Sequence, residues 1–344
     1  MHDFKNCSDL PSSIRMKNQP HYDIIADIHG RFDKLSALME RLGYTKSGDG
    51  YIPPAGHKAL FLGDLIDPKP GHPFPGGVKA TLQAVKAMCD RADALCLMGN
   101  HELNAIYYHT ADPNGHSSDP DRNWLRYRGS KNMRMHAGTL ADFEDYEDPC
   151  GEWLALWIPW MKSLPFTLDL GDFRAVHACW HEEMIARIEG KSLHDGAFLL
   201  AAADEETDEY KALEVLLKGV EVPLPDPHFI TDHTGTIRRH IRARWWEVVP
   251  ESAVCNELVF PENPQVEDWP VAPEALPLFQ PYESQAPPVF FGHYFKPANS
   301  PLQPEQHNVA CLDHSSATGG PLVAYRWKGE AQIKPQHYIT SHEN

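Results

Sequence analysis

Residues 21–30, HYDIIADIHG, set an apolar run against a polar end, with Ile24, Ile25 and Ala26 leading into Asp27, His29 and Gly30. Such a run closed by glycine predicts a buried strand whose last residues emerge at its carboxyl end. In RFDKLSALMERLG (31–43) the residues Phe32, Leu35, Leu38, Met39 and Leu42 recur at helical spacing and Gly43 offers a stop, so a helix follows. The pattern then repeats. ALFLGDLID (59–67) reads as a second strand, Val78, Leu82, Val85 and Met88 mark a second helix, and ALCLMGNHE (94–102) reads as a third strand. Alternating strands and helices form βαβ units, whose crossovers run the strands in parallel and bring their carboxyl-end loops to one edge. The polar residues at three strand ends are therefore expected to meet.

FRAVHAC (173–179), PPVFFGH (287–293), NVACLD (308–313) and GPLVAYRW (320–327) are further strand candidates. The last three lie close enough together to suggest a second, largely antiparallel sheet. The expected architecture is α/β, two packed sheets flanked by helices. Two long segments interrupt it. Residues 103–150 are polar and hold Arg122, Trp124, Arg126 and Arg128 before the acidic ADFEDYED. Residues 181–286 contain the acidic DEETDE, the basic and aromatic IRRHIRARWW, and much of a proline-rich tract from Pro261 to Pro288. Prolines at that density favour irregular chain. Both segments read as insertions that cap the site of a single domain, whose core is residues 20–102, 150–180 and 287–335. No internal repeat is visible.

The composition, 42% hydrophobic and 23% charged, is globular, and no apolar stretch approaches the roughly 20 residues that span a bilayer. Thirty-one basic against 48 acidic residues give a net charge of -17, which speaks against duplex nucleic acid or an anionic membrane as partner. Phosphate substrates stay open, because bound metal cations reverse the potential inside a cleft. The amino terminus has neither the apolar run nor the cleavage pattern of a secretory signal, so the expected location is the cytoplasm. The seven cysteines (Cys7, Cys89, Cys96, Cys150, Cys179, Cys255, Cys311) are scattered and never spaced Cys-x-x-Cys. They are expected to be reduced thiols rather than a disulfide framework or a zinc ribbon.

Five short motifs carry the chemistry: Asp27-Ile28-His29-Gly30, Gly63-Asp64-Leu65-Ile66-Asp67, Gly99-Asn100-His101-Glu102, Val176-His177-Ala178 and Gly292-His293-Tyr294. Each begins at or just after a predicted strand. Carboxylate oxygen, amide oxygen and imidazole nitrogen suit borderline divalent metals such as Mn, Fe and Zn. Alternation along an extended segment would put Asp27 and His29 on one side, where they could hold one ion together.

Five motifs in this order resemble the calcineurin-like metallophosphoesterase superfamily, in particular the branch of phosphoprotein phosphatases and bacterial diadenosine-tetraphosphate hydrolases. The resemblance runs from residue 22 to about 325. It implies a four-layer α/β/β/α sandwich of two mixed sheets with helices on the outer faces. It implies that Asp27, His29 and Asp64 hold a first metal and that Asp64 bridges to a second, completed by Asn100, His177 and His293. Manganese is the expected metal, with iron or zinc as alternatives. The implied reaction is hydrolysis of a phosphomonoester or phosphoanhydride by direct attack of a metal-bridging hydroxide. His101 is the implied general acid, oriented by Asp67.

The departures from the pattern are informative. Many superfamily members end in Gly-His-x-His, and here the last place is Phe295. Phosphoprotein phosphatases carry Arg after the second-motif Asp and before the third-motif Gly, where this chain has Pro68 and Met98. Another cation must then grip the phosphate, or the substrate is held differently. Arg31 is one candidate, and Arg238, Arg239 and Arg242, crowded with Arg244 near Trp245 and Trp246, are others. For any one of these arginines a solvated face packed by the tryptophans is the plainer reading. His72, His109, His116, His136 and His181 lie near the motifs without ligand spacing and are read as surface or hydrogen-bonded side chains. Glu102 reads equally as a partner of a ligand or as a helix-entry carboxylate. The expected substrate is a phosphorylated small molecule, nucleotide or dinucleoside polyphosphate, with a phosphoprotein as runner-up; a non-catalytic scaffold is the alternative from another class.

Overall fold

A computed structural model describes residues 20–72, 74–115, 118–231 and 235–342; Cys7 and His116 fall outside them. The chain runs through strand β1 (His21–Ile25), helix α1 (Phe32–Arg41), a hairpin of β2 (Thr45–Ser47) and β3 (Gly50–Ile52), and strand β4 (His57–Phe61). Helix α2 (Gly77–Asp90), strand β5 (Ala94–Cys96) and helix α3 (Asn100–Tyr108) follow. β1, β4 and β5 are parallel neighbours, with Ile25 opposite Phe61 and Phe61 opposite Cys96. The helices form where the spacing predicts. Leu35, Leu38 and Met39 of α1 are fully buried, as are Leu82, Val85 and Met88 of α2. Asp33 in the first turn of α1 and Arg41 in its last match the helix dipole.

Helix α4 (Ser130–Leu140) belongs to the first long segment, and strands β6 (Thr167–Asp169) and β7 (Arg174–Val176) come after it. The second long segment contains helices Glu182–Ile188, Gly196–Ala203 and Asp208–Lys218. It also holds two short antiparallel pairs, β8 (Glu221–Pro223) with β11 (His240–Arg242) and β9 (Ile230–Thr231) with β10 (Ile237–Arg238). The chain closes with β12 (Val289–Phe291), β13 (Val309–Cys311), β14 (Val323–Trp327) and β15 (Tyr338–Thr340).

Both large sheets are mixed. The first has the order β15-β14-β1-β4-β5 and the second β13-β12-β7-β6. The expectation of a largely antiparallel second sheet built from the last three strand candidates is corrected on two counts. β12 pairs in parallel with both β13 and β7, and β14 leaves that group to lie antiparallel to β1 in the first sheet. Val309, Ala310, Cys311 and Leu312 are all fully buried, and an unbroken apolar run is the mark of a parallel strand covered on both faces.

The sheets pack face to face through aromatic side chains. Phe173, beside β7, lies 5.2 Å from Tyr22 and 4.7 Å from Trp327 between ring centroids, and Phe290 lies 4.9 Å from Tyr325. Phe290, Phe291, Val323 and Tyr325 are fully buried, and rings of this size dominate core energetics. The result is an α/β sandwich in which the parallel strands β1, β4, β5, β7 and β12 each end at or just before one of the five motifs. Among the described residues, no helix is long and apolar enough to cross a membrane.

Candidate metal centre

The motif loops are sewn together by main-chain hydrogen bonds before any side chain takes part. Ile28 and His29 both donate to the Asp64 carbonyl, at 3.0 and 2.9 Å, Gly30 donates to Leu65 at 2.7 Å, and Gly292 donates to His177 at 2.8 Å. The approach is close enough to require glycine in two places. A Cβ at Gly99 would lie 2.2 Å from the Asp64 nitrogen, and one at Gly292 would lie 1.9 Å from Asp27 Oδ1.

His29, Asp64, Asp67 and His293 all have positive φ, at 51°, 50°, 60° and 67°. That region is unfavourable for side-chain-bearing residues, and such strain gathers at functional sites where the surroundings over-determine it. The value at His29 corrects the expected alternation. The chain turns out of β1 at His29 into a left-handed residue, so a turn rather than extended alternation places the imidazole.

Asp64 stands between two groups of histidines. Its Oδ2 lies 3.6 Å from His29 Nε2 and 3.9 Å from His101 Nε2, and its Oδ1 lies 3.4 Å from His177 Nε2. The ligand-type atoms of His29, Asp64 and His101 lie within 4.8 Å of one another, and those of Asp64, His177 and His293 do likewise. Asn100 Oδ1 is 3.0 Å from His177 Nε2. Asp27 is outside both close groups; its Oδ2 accepts from the His293 main-chain N–H at 3.0 Å.

Two rings are oriented from behind. Nδ1 of His29 lies 3.0 Å from the Ile66 carbonyl, and Nδ1 of His177 lies 2.8 Å from that of Leu62. A carbonyl can only accept, so each Nδ1 carries the proton and each Nε2 faces Asp64. This is the outer arrangement that histidine ligands of metals use.

Burial and charge act on these groups in opposite senses. Burial, then Asp313, pushes the Asp27 carboxyl well above the usual carboxylate range. Burial, then Arg242, holds His293 well below its usual value, and burial with Lys69 takes His29 down to about 3. At His177 burial is outweighed by Asp64, which raises it to about 10. Asp27 Oδ1 and His293 Nε2 are buried without a hydrogen-bond partner. A dry carboxylate oxygen and a dry imidazole nitrogen left unpaired are costly. A pair of cations at this edge would resolve both, and the donor set of carboxylate, amide and imidazole fits divalent metals.

The family model described as calcineurin-like phosphoesterase matches residues 21–212, more than half of the sequence. The chain belongs to that family. Among curated proteins, this calcineurin-like phosphoesterase is 40% identical over 87 residues to the asymmetrical bis(5'-nucleosyl)-tetraphosphatase PrpE of Geobacillus thermodenitrificans, covering 25% of this chain and 33% of that one. It is 45% identical over 49 residues to the protein of the same name from Bacillus subtilis, covering 14% and 20%. The matches thus span about a third or less of those relatives' length. Among solved structures it resembles a cold-active protein-tyrosine phosphatase of a Shewanella species (TM-score 0.45, 19% identity, covering 99% of this chain and 89% of that one). A protein serine/threonine phosphatase from Saccharomyces cerevisiae gives TM-score 0.45 and 13% identity, covering 94% and 79%.

In this phosphoesterase the four candidate arginines are dispersed. Arg31 turns onto Asp33, with Nη2 2.6 Å from the carboxylate. Arg239 pairs with Asp226 at 3.4 Å, both exposed, and Arg238 is exposed on β10. The Arg242 side chain reaches the motif edge, where Nη1 donates to the His293 carbonyl at 3.2 Å and the guanidinium lies 4.9 Å from the Phe295 ring centre. Trp245 and Trp246 are buried in the core, and Asp313 caps turns by accepting from the main chain of Phe295 and Ser315, both at 2.9 Å.

Glu102 resolves as a clamp on the motif loops. It is fully buried and accepts from the main-chain nitrogens of Leu65 (2.8 Å), Asp64 (2.9 Å) and Gly99 (3.0 Å), which ties the second motif to the third. Burial, then Asp64, raises its carboxyl to about 7. His101 Nδ1 lies 2.7 Å from Asp67 Oδ2, the contact expected of that pair. Two residues without a motif signal share the same carboxylate: His136 Nδ1 and Thr139 Oγ1 lie 2.7 and 2.6 Å from Asp67 Oδ1.

Proposed function

We propose that this phosphoesterase hydrolyses a phosphomonoester or phosphoanhydride by direct attack of water at phosphorus, with no covalent intermediate. The observation that carries the reading is one carboxylate, Asp64, between two histidine groups, flanked by the unpartnered Asp27 Oδ1 and His293 Nε2. Asp27, His29 and Asp64 would hold one divalent ion, and Asp64, Asn100, His177 and His293 the other. Manganese is the metal to test first, then iron and zinc. Such a pair supplies positive charge for the phosphoryl oxygens and makes water acidic enough to react at neutral pH.

The chain's own residues supply the rest. His101 gives its Nδ1 proton to a hydrogen bond with Asp67, so Nε2 is the end turned toward Asp64 and is the atom that delivers a proton to the leaving oxygen. Asp67 accepts from Nδ1 and fixes that ring. Arg242, anchored on the His293 carbonyl, is the cation best sited to replace the arginine missing at Pro68. The segments 103–150 and 181–286 act as caps on a single catalytic domain. Six cysteines are free thiols, which supports the cytoplasm as location.

The names of the curated relatives put dinucleoside polyphosphates first among substrates to try. Hydrolysis of p-nitrophenyl phosphate, its bis ester, a dinucleoside tetraphosphate and a phosphopeptide should be followed with manganese added and after chelation. Turnover abolished by chelator and restored by metal is expected. No turnover on the whole panel, with manganese bound, would favour a non-catalytic scaffold.

A further inference from the structure

His136 and Thr139 are three residues apart on α4, so they share one face of that helix. The face is docked onto the second motif at three points. His136 Nδ1 and Thr139 Oγ1 both donate to Asp67 Oδ1, and Thr139 Oγ1 accepts from the Asp67 main-chain N–H at 2.8 Å. One residue away, the helix backbone meets Pro68: a Cβ at Gly138 would lie 2.6 Å from Pro68 Cγ. Pro68 occupies the place where the phosphoprotein phosphatases carry an arginine, and here that place is a seat for the helix.

The contact bears on Asp67 in two ways. Asp67 is left-handed at φ 60°, a conformation that needs external support. The Thr139 hydroxyl brackets it, holding main chain and carboxylate together. With Oδ1 satisfied by His136 and Thr139, the carboxylate cannot rotate without losing two hydrogen bonds, which leaves Oδ2 aimed at His101 Nδ1. His136 is itself held, with Nε2 3.3 Å from His109 Nε2 and its ring 5.7 Å from that of Trp153. His136 is 4% exposed, and Thr139 and Trp153 are fully buried. Burying His136 and Thr139 costs free energy unless their polar atoms find partners, and each of them does.

We propose that His136 and Thr139 are positioning residues for the leaving-group proton: through Asp67 they fix the ring of His101, which makes α4 part of the catalytic machinery rather than a cover over it. This rests on the reading of His101 as general acid. A residue that acts through the acid matters most when the leaving group needs a proton. It matters little when the departing oxyanion is stable by itself.

The test compares phenyl phosphate, whose phenol has a pKa near 10, with p-nitrophenyl phosphate, whose leaving group is much more acidic, using the full chain loaded with manganese. Thr139→Val and His136→Phe are expected to lower kcat on phenyl phosphate by about 10- to 100-fold but on p-nitrophenyl phosphate by less than about threefold. KM and bound manganese should not change. Thr139→Ser and His136→Asn, which keep a donor, should recover most of the loss. In a His101→Ala background Thr139→Val should cost nothing more, since the two act as one unit. If either variant fails to fold, Gly138→Ala, which forces the helix off Pro68, should give the same leaving-group dependence.

Equal losses on both substrates, an added loss in the His101→Ala background, or no loss at all would each overturn the proposal while leaving metal-dependent hydrolysis intact. Absence of chelator-sensitive hydrolysis in the unaltered chain would overturn the parent reading and this one with it.

Discussion

The two long segments reach the site in opposite ways. Residues 103–150 are largely polar beyond their first turns, yet they send α4 to the Asp67 carboxylate, with His136 and Thr139 buried against it. Residues 181–286 carry the basic and aromatic stretch that looks built for phosphate, yet most of that stretch is packing or surface. Trp245 is fully buried against Trp246 and Phe291, Arg239 pairs outward with Asp226, and Arg242 touches the motif edge through the His293 carbonyl. Charge along a segment therefore says little about which of its residues faces the chemistry. A buried polar atom with a short partner says more, because an unpaired one would be costly there.

Substitutions can break this contrast in order of expected effect. His101→Ala, which removes the ring held through Asp67, should cut kcat by about 10²- to 10⁴-fold with metal content unchanged, measured by turnover and metal analysis. Trp245→Ala should instead act on the fold. It should lower unfolding free energy by about 3–5 kcal/mol in urea titration, as loss of a buried indole does, while the surviving folded enzyme keeps its KM. Arg242→Ala should lower kcat/KM by about 10- to 100-fold, the worth of a charged hydrogen bond to phosphate. Arg239→Ala, at an exposed ion pair, should change kcat/KM by less than about twofold. If Arg239 mattered as much as Arg242, the contrast would fail.

Much of the edge where the motifs meet is legible in the sequence. Local patterns carry it: an apolar run into Asp27 or Asp64, a helical stripe from Phe32 to Leu42, a glycine where two loops nearly touch. What is not legible depends on distant pairing. Nothing in GPLVAYRW states that β14 will lie against β1, since its apolar face suits either sheet, and only the packing of Tyr325 and Trp327 on Phe290 and Phe173 decides it. The direction of β13 is hidden for the same reason. His136 and Thr139 gave no motif signal because their meaning lies in a contact with Asp67, about 70 residues earlier, made by helix docking. Glu102 is only half readable: its place beside His101 fits a partner of a ligand and a helix-entry carboxylate equally, and its three main-chain partners emerge only once the loops have folded together.

The left-handed backbone at His29, Asp64, Asp67 and His293 has a practical consequence for anyone engineering this enzyme. Each of those positions would be more comfortable as glycine or asparagine, so a library screened solely for heat resistance has an incentive to replace the very groups proposed to hold the metals and orient the acid. Thermal selection should therefore hold these four fixed and seek its gains elsewhere, or it will yield robust proteins that no longer turn over.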